Sequence, residues 1–489
     1  MKLSATQIQA IVDATKTPTP EQVRVVEAPR RPLLVVAGAG SGKTETMSMR
    51  VLWLLANHPD LTPASILGLT FTRKAAGELG DRLRERIRLL SREMPQMRER
   101  LDEDPVALTY NSFAERIVSE HGMRIGIDPD FSMLSEAGAL DLMTQIVEAW
   151  PTDLDEELRP IDAVPQVLHL AGELAEHGFT VESAREALEE LGRELSQVGD
   201  TNVEARNLLR ANRRRLAFLG PIATYQQRKR EMGVLDFSDQ LVLATRIVRE
   251  APSVRAALRE EFRAVLLDEF QDTSVIQMEL LSTLFGDHAV TAVGDPNQAI
   301  YGWRGASASS LETFLDRFQS GAPEAGQTLT LSTAWRNDVS ILDAANRVAA
   351  PLREVASYQQ GKDALKAQSP VLVPRKGAGQ GTVEIAYTQV YEDALAATVD
   401  FVKRVRSQAT KDGKRRTVAV LSRRRKDFPF IDAALREAGI PTEIVGLGGL
   451  LDQPAVQDVR AALELAYDVA ASPWLARLLA GIDLGATDL

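Results

Sequence analysis

The sequence predicts an α/β protein built on a parallel sheet, with its functional groups at the C-terminal ends of the strands. Four short apolar runs predict it: Leu33-Leu34-Val35-Val36, Ile66-Leu67-Gly68-Leu69-Thr70, Ala264-Val265-Leu266-Leu267 and Val290-Thr291-Ala292-Val293. Each ends on a polar motif, as buried parallel strands do in open α/β sheets. A glycine loop between the first run and a helix-compatible segment is the second observation.

The first run leads into Ala37-Gly38-Ala39-Gly40-Ser41-Gly42-Lys43-Thr44. Gly38, Gly40 and Gly42 let backbone N–H groups turn inward around phosphates, where a Cβ would obstruct the turn. Lys43 supplies positive charge to the β- and γ-phosphates, and the Thr44 hydroxyl is a Mg²⁺ ligand. Ala37 stands where the generic pattern has its first glycine. The competing reading is a glycine turn beside a chance Lys-Thr, which the strand and helix context disfavours.

The second run precedes a helix from Ala75 to Leu90. From about Phe113 to Glu231 the pattern is helical without a clear strand, as expected of an insertion into the first α/β domain. The third run ends at Asp268-Glu269-Phe270-Gln271-Asp272. Asp268 there is placed to hold the hydration shell of Mg²⁺, and Glu269 to orient or deprotonate an attacking water.

The fourth run opens into Gly294-Asp295-Pro296-Asn297-Gln298, then Tyr301-Gly302-Trp303-Arg304-Gly305. An amide such as Gln298 can contact a γ-phosphate and register its loss. Tyr301 and Trp303 offer faces on which bases stack. Core aromatics are the alternative, and the residues flanking Trp303 argue for a loop. A strand over Thr328 to Leu331 follows, and after a Pro/Gly/Lys-rich loop from Ser369 to Gly381, strands Val383 to Ala386 and Val418 to Leu421 are expected in a second α/β unit.

With 489 residues the chain exceeds one ordinary core, and roughly two to four domains are expected. It has no cysteine, which excludes disulfides and cysteine-held metal within it. No apolar run is long enough to span a bilayer, and Met1 to Ala5 lack the apolar core of a signal peptide, so a cytoplasmic location is expected. The net charge of −11 argues against a nonspecific nucleic-acid coat protein but not against an enzyme with a local basic path. Asp153 to Glu194 is rich in acids, whereas Arg210 to Arg215, Lys411 to Arg416 and Arg423 to Lys426 are basic. Taken singly, each is explained by a solvated face.

Together, the phosphate loop, Asp-Glu-Phe-Gln-Asp and Gly-Asp-Pro-Asn-Gln-Ala-Ile-Tyr-Gly-Trp-Arg-Gly-Ala resemble those of superfamily 1A DNA helicases of the UvrD/Rep/PcrA type. The resemblance implies a RecA-like motor domain over 1–112 and 232–325, carrying a helical insertion over 113–231. An incomplete second RecA-like domain over 326–450 and the start of a second helical insertion over 451–489 would follow. It implies ATP and Mg²⁺ as cofactors, with single-stranded DNA or a single-strand/duplex junction as partner, 3′→5′ movement, and a role in repair or recombination.

Residue by residue, Gln22 resembles the glutamine that reads adenine. Phe71, Thr72 and Arg73 fall in the strand-gripping motif, and Asn111 and Ser112 in the next DNA-contact motif, where many members have histidine at the place of Asn111. Tyr301, Trp303 and Arg304 complete the DNA set. Leu235-Asp236-Phe237-Ser238-Asp239 resembles the segment leading back into the motor. Trp335 matches the aromatic that stacks on adenine, and Arg336 the arginine that joins Lys43, Glu269 and Gln298 as a catalytic residue at the γ-phosphate. Val418 to Ser422 with Arg423-Arg424 resembles the first strand and loop of the second domain's DNA face.

Two departures stand out. Glu45 occupies a position where many relatives carry arginine. No Ala-Lys-Gly-Leu-Glu-like or Leu-Thr-Arg-Ala-like segment occurs, so the sequence reads as C-terminally truncated, lacking a second γ-phosphate arginine. Thr109-Tyr110-Asn111-Ser112-Phe113-Ala114 leans towards helicase–nuclease subunits of the AdnB/RecB sort, and hence towards a helicase–nuclease partner subunit. A DNA-stimulated ATPase motor is the leading expectation. A module that binds ATP and DNA but turns over slowly is its rival. A GTPase is disfavoured because no guanine-reading Asn-Lys-x-Asp is present.

Overall fold

The computed structural model describes residues 2–128, 130–155, 158–197, 203–302, 305–306, 310–319, 326–358, 368–408, 413, 415–445, 454–467, 474–475 and 477–478. These residues form two compact units, one reaching to Val383 and the other starting at Glu384.

The first unit is organised by strands β1 (Leu33–Ala37), β2 (Ile66–Thr70), β3 (Val106–Thr109), β4 (Ser132–Met133), β5 (Val234–Leu235), β6 (Ala264–Leu267), β7 (Val290–Gly294), β8 (Gln327–Leu331), β9 (Thr333–Ala334) and β10 (Val373–Pro374). Six of them make one parallel sheet in the order β3-β2-β6-β7-β1-β8. All four apolar runs therefore lie in one sheet, and β7 separates the glycine-loop strand β1 from the acidic-motif strand β6. Parallel pairing brings the loops after β1, β6 and β7 to the same edge.

Each strand divides its side chains between two cores with period two. Leu34 and Val36, Leu67 and Leu69, and Val265 and Leu267 join one core. Leu33, Val35 and Ala37, with Ile66 and Leu266, join the other. The second core is covered by α1 (Ala5–Asp13), α2 (Pro20–Val26), α3 (Lys43–Asn57) and α4 (Arg73–Glu93). The first is covered by α5 (Tyr110–His121) and by helices that follow the insertion.

The insertion consists of α6 (Glu136–Glu148), α7 (Pro160–Glu176), α8 (Val181–Gln197) and α9 (Val203–Met232) around a core of their own, including Met143, Val167, Phe218 and Ile222. The expected start at 113 is displaced, because Phe113, Ile117 and Val118 of α5 pack into the sheet's core. The chain returns through α10 (Phe237–Glu250), α11 (Pro252–Glu261), α12 (Val275–Phe285), α13 (Phe314–Phe318) and α14 (Val339–Tyr358). At that return, Lys229 is buried between the carboxylates of Asp236 and Asp239, at 2.5 and 2.6 Å.

The expected second domain does not begin at 326. β8 pairs with β1 along its whole length, from Leu33 opposite Gln327 to Ala37 opposite Leu331, so this segment closes the first sheet. The second unit holds α15 (Tyr391–Ser407), α16 (Phe428–Glu437) and α17 (Pro454–Tyr467), with a small core of Val402, Leu435 and Ile440. The strands expected at Val383 to Ala386 and Val418 to Leu421 are not strands. Among the described residues no ladder pairs them, and Ile385 and Leu421 are each 92% exposed. β-Branched content favours extended backbone, but only a partner makes a strand.

Candidate nucleotide and nucleic-acid site

Gly42 is the left-handed N-cap of α3 (φ 83°), and Gly40 is also left-handed (φ 74°), so both turns of the loop use conformations that suit glycine. Ala37 belongs to β1 itself, and Gly38, Ala39, Gly40, Ser41 and Gly42 form the turn beyond it. The Ser41 hydroxyl is buried without a hydrogen-bond partner. Lys43 and Thr44 occupy the first turn of α3, where the helix dipole favours an anion.

Gln22 and Trp335 flank this loop. A Cβ placed on Gly42 would lie 3.3 Å from Gln22 Nε2 and 3.7 Å from Trp335 Cδ1. Gln22 is the third residue of α2 in a capping box: its Oε1 accepts from the Thr19 N–H, which leaves Nε2 turned towards Gly42. The end of α2 is fastened to α3 by Arg50, whose buried guanidinium donates to the carbonyls of Val25 and Val26 and, just beyond the helix, of Ala28, while burial lowers its pKa to about 10. On the other side, the Trp335 N–H donates to the Gly40 carbonyl at 2.9 Å. Arg336 packs its Cβ against Gly40, 3.1 Å from where a side chain there would begin.

The acidic motif reaches the loop directly. Lys43 Nζ lies 2.7 Å from Glu269 Oε2, with the lysine side chain 11% exposed and the glutamate 35%. Among the described residues Glu269 is the one non-glycine with positive φ, 49°, a conformation that costs on the order of 1–3 kcal/mol. Its N–H donates to Asp268 Oδ1. Asp268 is buried, and its carboxyl is pushed up to about 6 by desolvation first and the Glu269 charge second. Asp272 is raised to about 6 for the same reasons. The Tyr110 hydroxyl, whose pKa burial also raises, donates to the Asp268 carbonyl.

Gln271 extends this network, a role the sequence reading missed. Its Nε2 donates to Glu269 Oε2 at 2.9 Å and to Asp272 Oδ2 at 3.0 Å, and its Oε1 accepts from the Asp295 N–H at 3.0 Å. Gly294 makes room, since a Cβ there would meet that oxygen at 2.7 Å. Asp295 in turn accepts from Gln298 Nε2 at 2.7 Å and from the Ser369 hydroxyl. A continuous polar chain therefore runs from Lys43 through Glu269, Gln271 and Asp295 to Gln298. The signal in the sequence was the glutamine within Asp-Glu-Phe-Gln-Asp, but its partner lies 24 residues away.

Tyr301 packs against Phe71, with ring centroids 4.8 Å apart and planes tilted by 33°. Phe71, Arg73, Asn111 and Ser112 all line one cleft of about 580 Å³, whose opposite wall is α7 with His169 and Glu173. Three expected contact residues also hold local structure. The Thr72 hydroxyl caps α4, Asn111 Oδ1 accepts from Gln277, and the Ser112 hydroxyl bonds the N-cap Thr109. Trp303 and Arg304 lie outside the described residues. No helix among the described residues is long and apolar enough to cross a membrane.

Residues 18–319 match the UvrD/REP helicase N-terminal domain. DNA helicase II of Escherichia coli K12 is 27% identical over 448 residues, 91% of this chain and 54% of that protein. ATP-dependent DNA helicase PcrA of Staphylococcus aureus Mu50 is 26% identical over 454 residues, 91% and 53% of the two chains. PcrA of Leuconostoc citreum is 27% identical over 329 residues, 67% and 38%. The chain thus spans about half the length of the curated relatives it matches.

Proposed function

The chain belongs to the UvrD/REP helicase family, and from that premise we propose that it is an ATP-driven motor acting on single-stranded DNA. The observation that carries this reading is the polar chain from Lys43 to Gln298, which ends three residues before Tyr301, the ring packed against Phe71. It gives a hydrolytic site a physical route to a base-binding loop.

In this reading Gln22 and Trp335 bind the adenine, and the loop from Gly38 to Thr44 wraps the phosphates. The incoming triphosphate competes with Glu269 for Lys43. Once released, Glu269 orients or deprotonates the attacking water, and Gln271 keeps its carboxylate aimed. Arg336, beside Gly40, supplies positive charge at the γ-phosphate.

The residues fit Mg²⁺: Asp268 is a buried carboxylate in no ion pair among the described residues, and the Ser41 hydroxyl lacks a partner. Thr44 and Asp268 would hold the ion, which when bound supplies charge neutralisation to the phosphates.

Gln298 responds to the phosphates and moves the Tyr301 loop, altering its grip on a strand running past Phe71, Arg73, Asn111 and Ser112. By family, the movement is 3′→5′ towards a duplex junction, in repair or recombination. The test is steady-state ATP hydrolysis with and without single-stranded DNA, with Lys43→Ala as the blank. DNA-stimulated turnover abolished by the substitution supports the motor; turnover at the blank level in every condition overturns it.

A further inference from the structure

We propose that Ser369 is a positioning residue for Gln298: it keeps the Asp295 carboxylate supplied with a donor when Gln298 leaves it, so that Gln298 can pass between Asp295 and the nucleotide. The inference rests on the motor reading above and specifies how its phosphate-sensing glutamine is released.

Ser369 opens the Pro/Gly/Lys-rich stretch that has no part in the catalytic or DNA-contact motifs. The first residues of this stretch form a strap fixed at three places. Ser369 is buried, and its hydroxyl donates to Asp295 Oδ1. Three residues on, Leu372 packs so closely on the phosphate loop that a Cβ on Gly38 would collide with it. The Asn346 amide of α14 holds both the N–H and the carbonyl of Leu372, at 2.9 Å each. β10 then pairs with β9, immediately ahead of Trp335 and Arg336. The strap therefore touches the phosphate loop, the anchor of Gln298 and the strand that leads to Arg336.

Asp295 is only 2% exposed, so its carboxylate depends on donors from the protein. Oδ2 accepts from Gln298 Nε2 at 2.7 Å, and Oδ1 accepts from the Asn297 N–H at 3.0 Å and from the Ser369 hydroxyl. Among the described residues, two of these donors belong to the turn directly after Asp295, and Ser369 is the one that arrives from a distant segment. When Gln298 turns towards a γ-phosphate, Oδ2 loses its donor. With Ser369 present the carboxylate then retains two donors, and without it one. A buried charge short of partners is unfavourable, so a carboxylate with a single other donor holds Gln298 more firmly. The Ser369 hydroxyl thus eases the release of Gln298. Its loss leaves Gln298 on Asp295 whatever occupies the phosphate loop.

The test is the anisotropy of a labelled oligo-dT strand with and without Mg²⁺ and a non-hydrolysable ATP analogue, alongside a competition titration of the analogue itself. In the parent chain the analogue is expected to change DNA affinity several-fold. Ser369→Ala is expected to shift the balance of Gln298 towards Asp295 by about tenfold, the worth of one hydrogen bond to a charged group. The DNA-affinity ratio should then fall to about one, while the analogue still binds through Lys43. Ser369→Thr, which keeps a hydroxyl, is expected to restore the response. Asn346→Ala, which leaves Ser369 in place but unpins its strap, is expected to lose part of it. An unchanged ratio in Ser369→Ala or Asn346→Ala, or a ratio as low in Ser369→Thr as in Ser369→Ala, overturns the inference and leaves the motor reading intact. A parent chain that binds the analogue through Lys43 yet shows a ratio of one overturns the coupling in that reading, and the inference with it.

Discussion

Lys43 and Glu269 form an ion pair at 2.7 Å, so the cation expected on the phosphates and the carboxylate expected at the water are each other's partner. In the proposed mechanism, nucleotide binding and release of the hydrolytic carboxylate are then a single exchange. Glu269→Gln removes the charge that competes with the triphosphate for Lys43. ATP binding should tighten several-fold while turnover falls by about 10²–10⁴. A fluorescence titration and a phosphate-release assay on one preparation check both, and weaker binding in the variant contradicts the exchange.

Gln271→Ala deletes the bridge between Glu269 and Asp295. The Asp295 N–H and the two carboxylates each lose a partner in a buried setting, which should cost about 1–3 kcal/mol of stability by urea unfolding. Nucleotide affinity should change little, whereas stimulation of hydrolysis by DNA should be lost. Retained stimulation would show that the coupling runs elsewhere.

Asp268 gives a pH signature. Its carboxyl lies at about 6 against an ordinary 3.8, so the folded chain holds this proton more tightly than the unfolded one. The associated stability is fully present below about pH 4 and is lost as pH rises through about 6. Asp268→Asn has no charge to bury. The difference in unfolding free energy between variant and parent should therefore grow in the variant's favour from pH 4 to 6 and level off above. Urea unfolding at intervals across this range measures it, and a flat difference contradicts the assigned cause.

Tyr301→Ala removes the ring packed against Phe71. Each base–aromatic contact is worth about 1–3 kcal/mol, so affinity for an oligo-dT strand should fall by roughly tenfold or more at fixed salt. Fluorescence anisotropy reads this directly. Unchanged affinity would make the pair a packing contact.

Much of this was legible because local chemistry and tertiary structure agree. Leu33 to Ala37 is a buried strand in the sequence and in the sheet, and Gly42 takes the left-handed conformation that the loop demands. What escaped was long-range pairing. Gln271 finds Asp295, and Glu45 finds Arg86 across 41 residues, and no periodicity encodes either meeting. β8 was read correctly as a strand but assigned to the wrong domain, because an apolar run does not name its neighbour. Val418 to Leu421 fails in the opposite way, having strand composition but no ladder among the described residues.

In the proposed motor, nucleotide held at Lys43 changes the grip of the Tyr301 loop on DNA. The most direct test is the affinity for single-stranded DNA with and without Mg²⁺ and a non-hydrolysable ATP analogue, in the parent chain and in Lys43→Ala. A several-fold change with the analogue, absent in Lys43→Ala, is the predicted result. Equal affinity in all four conditions would contradict this coupling.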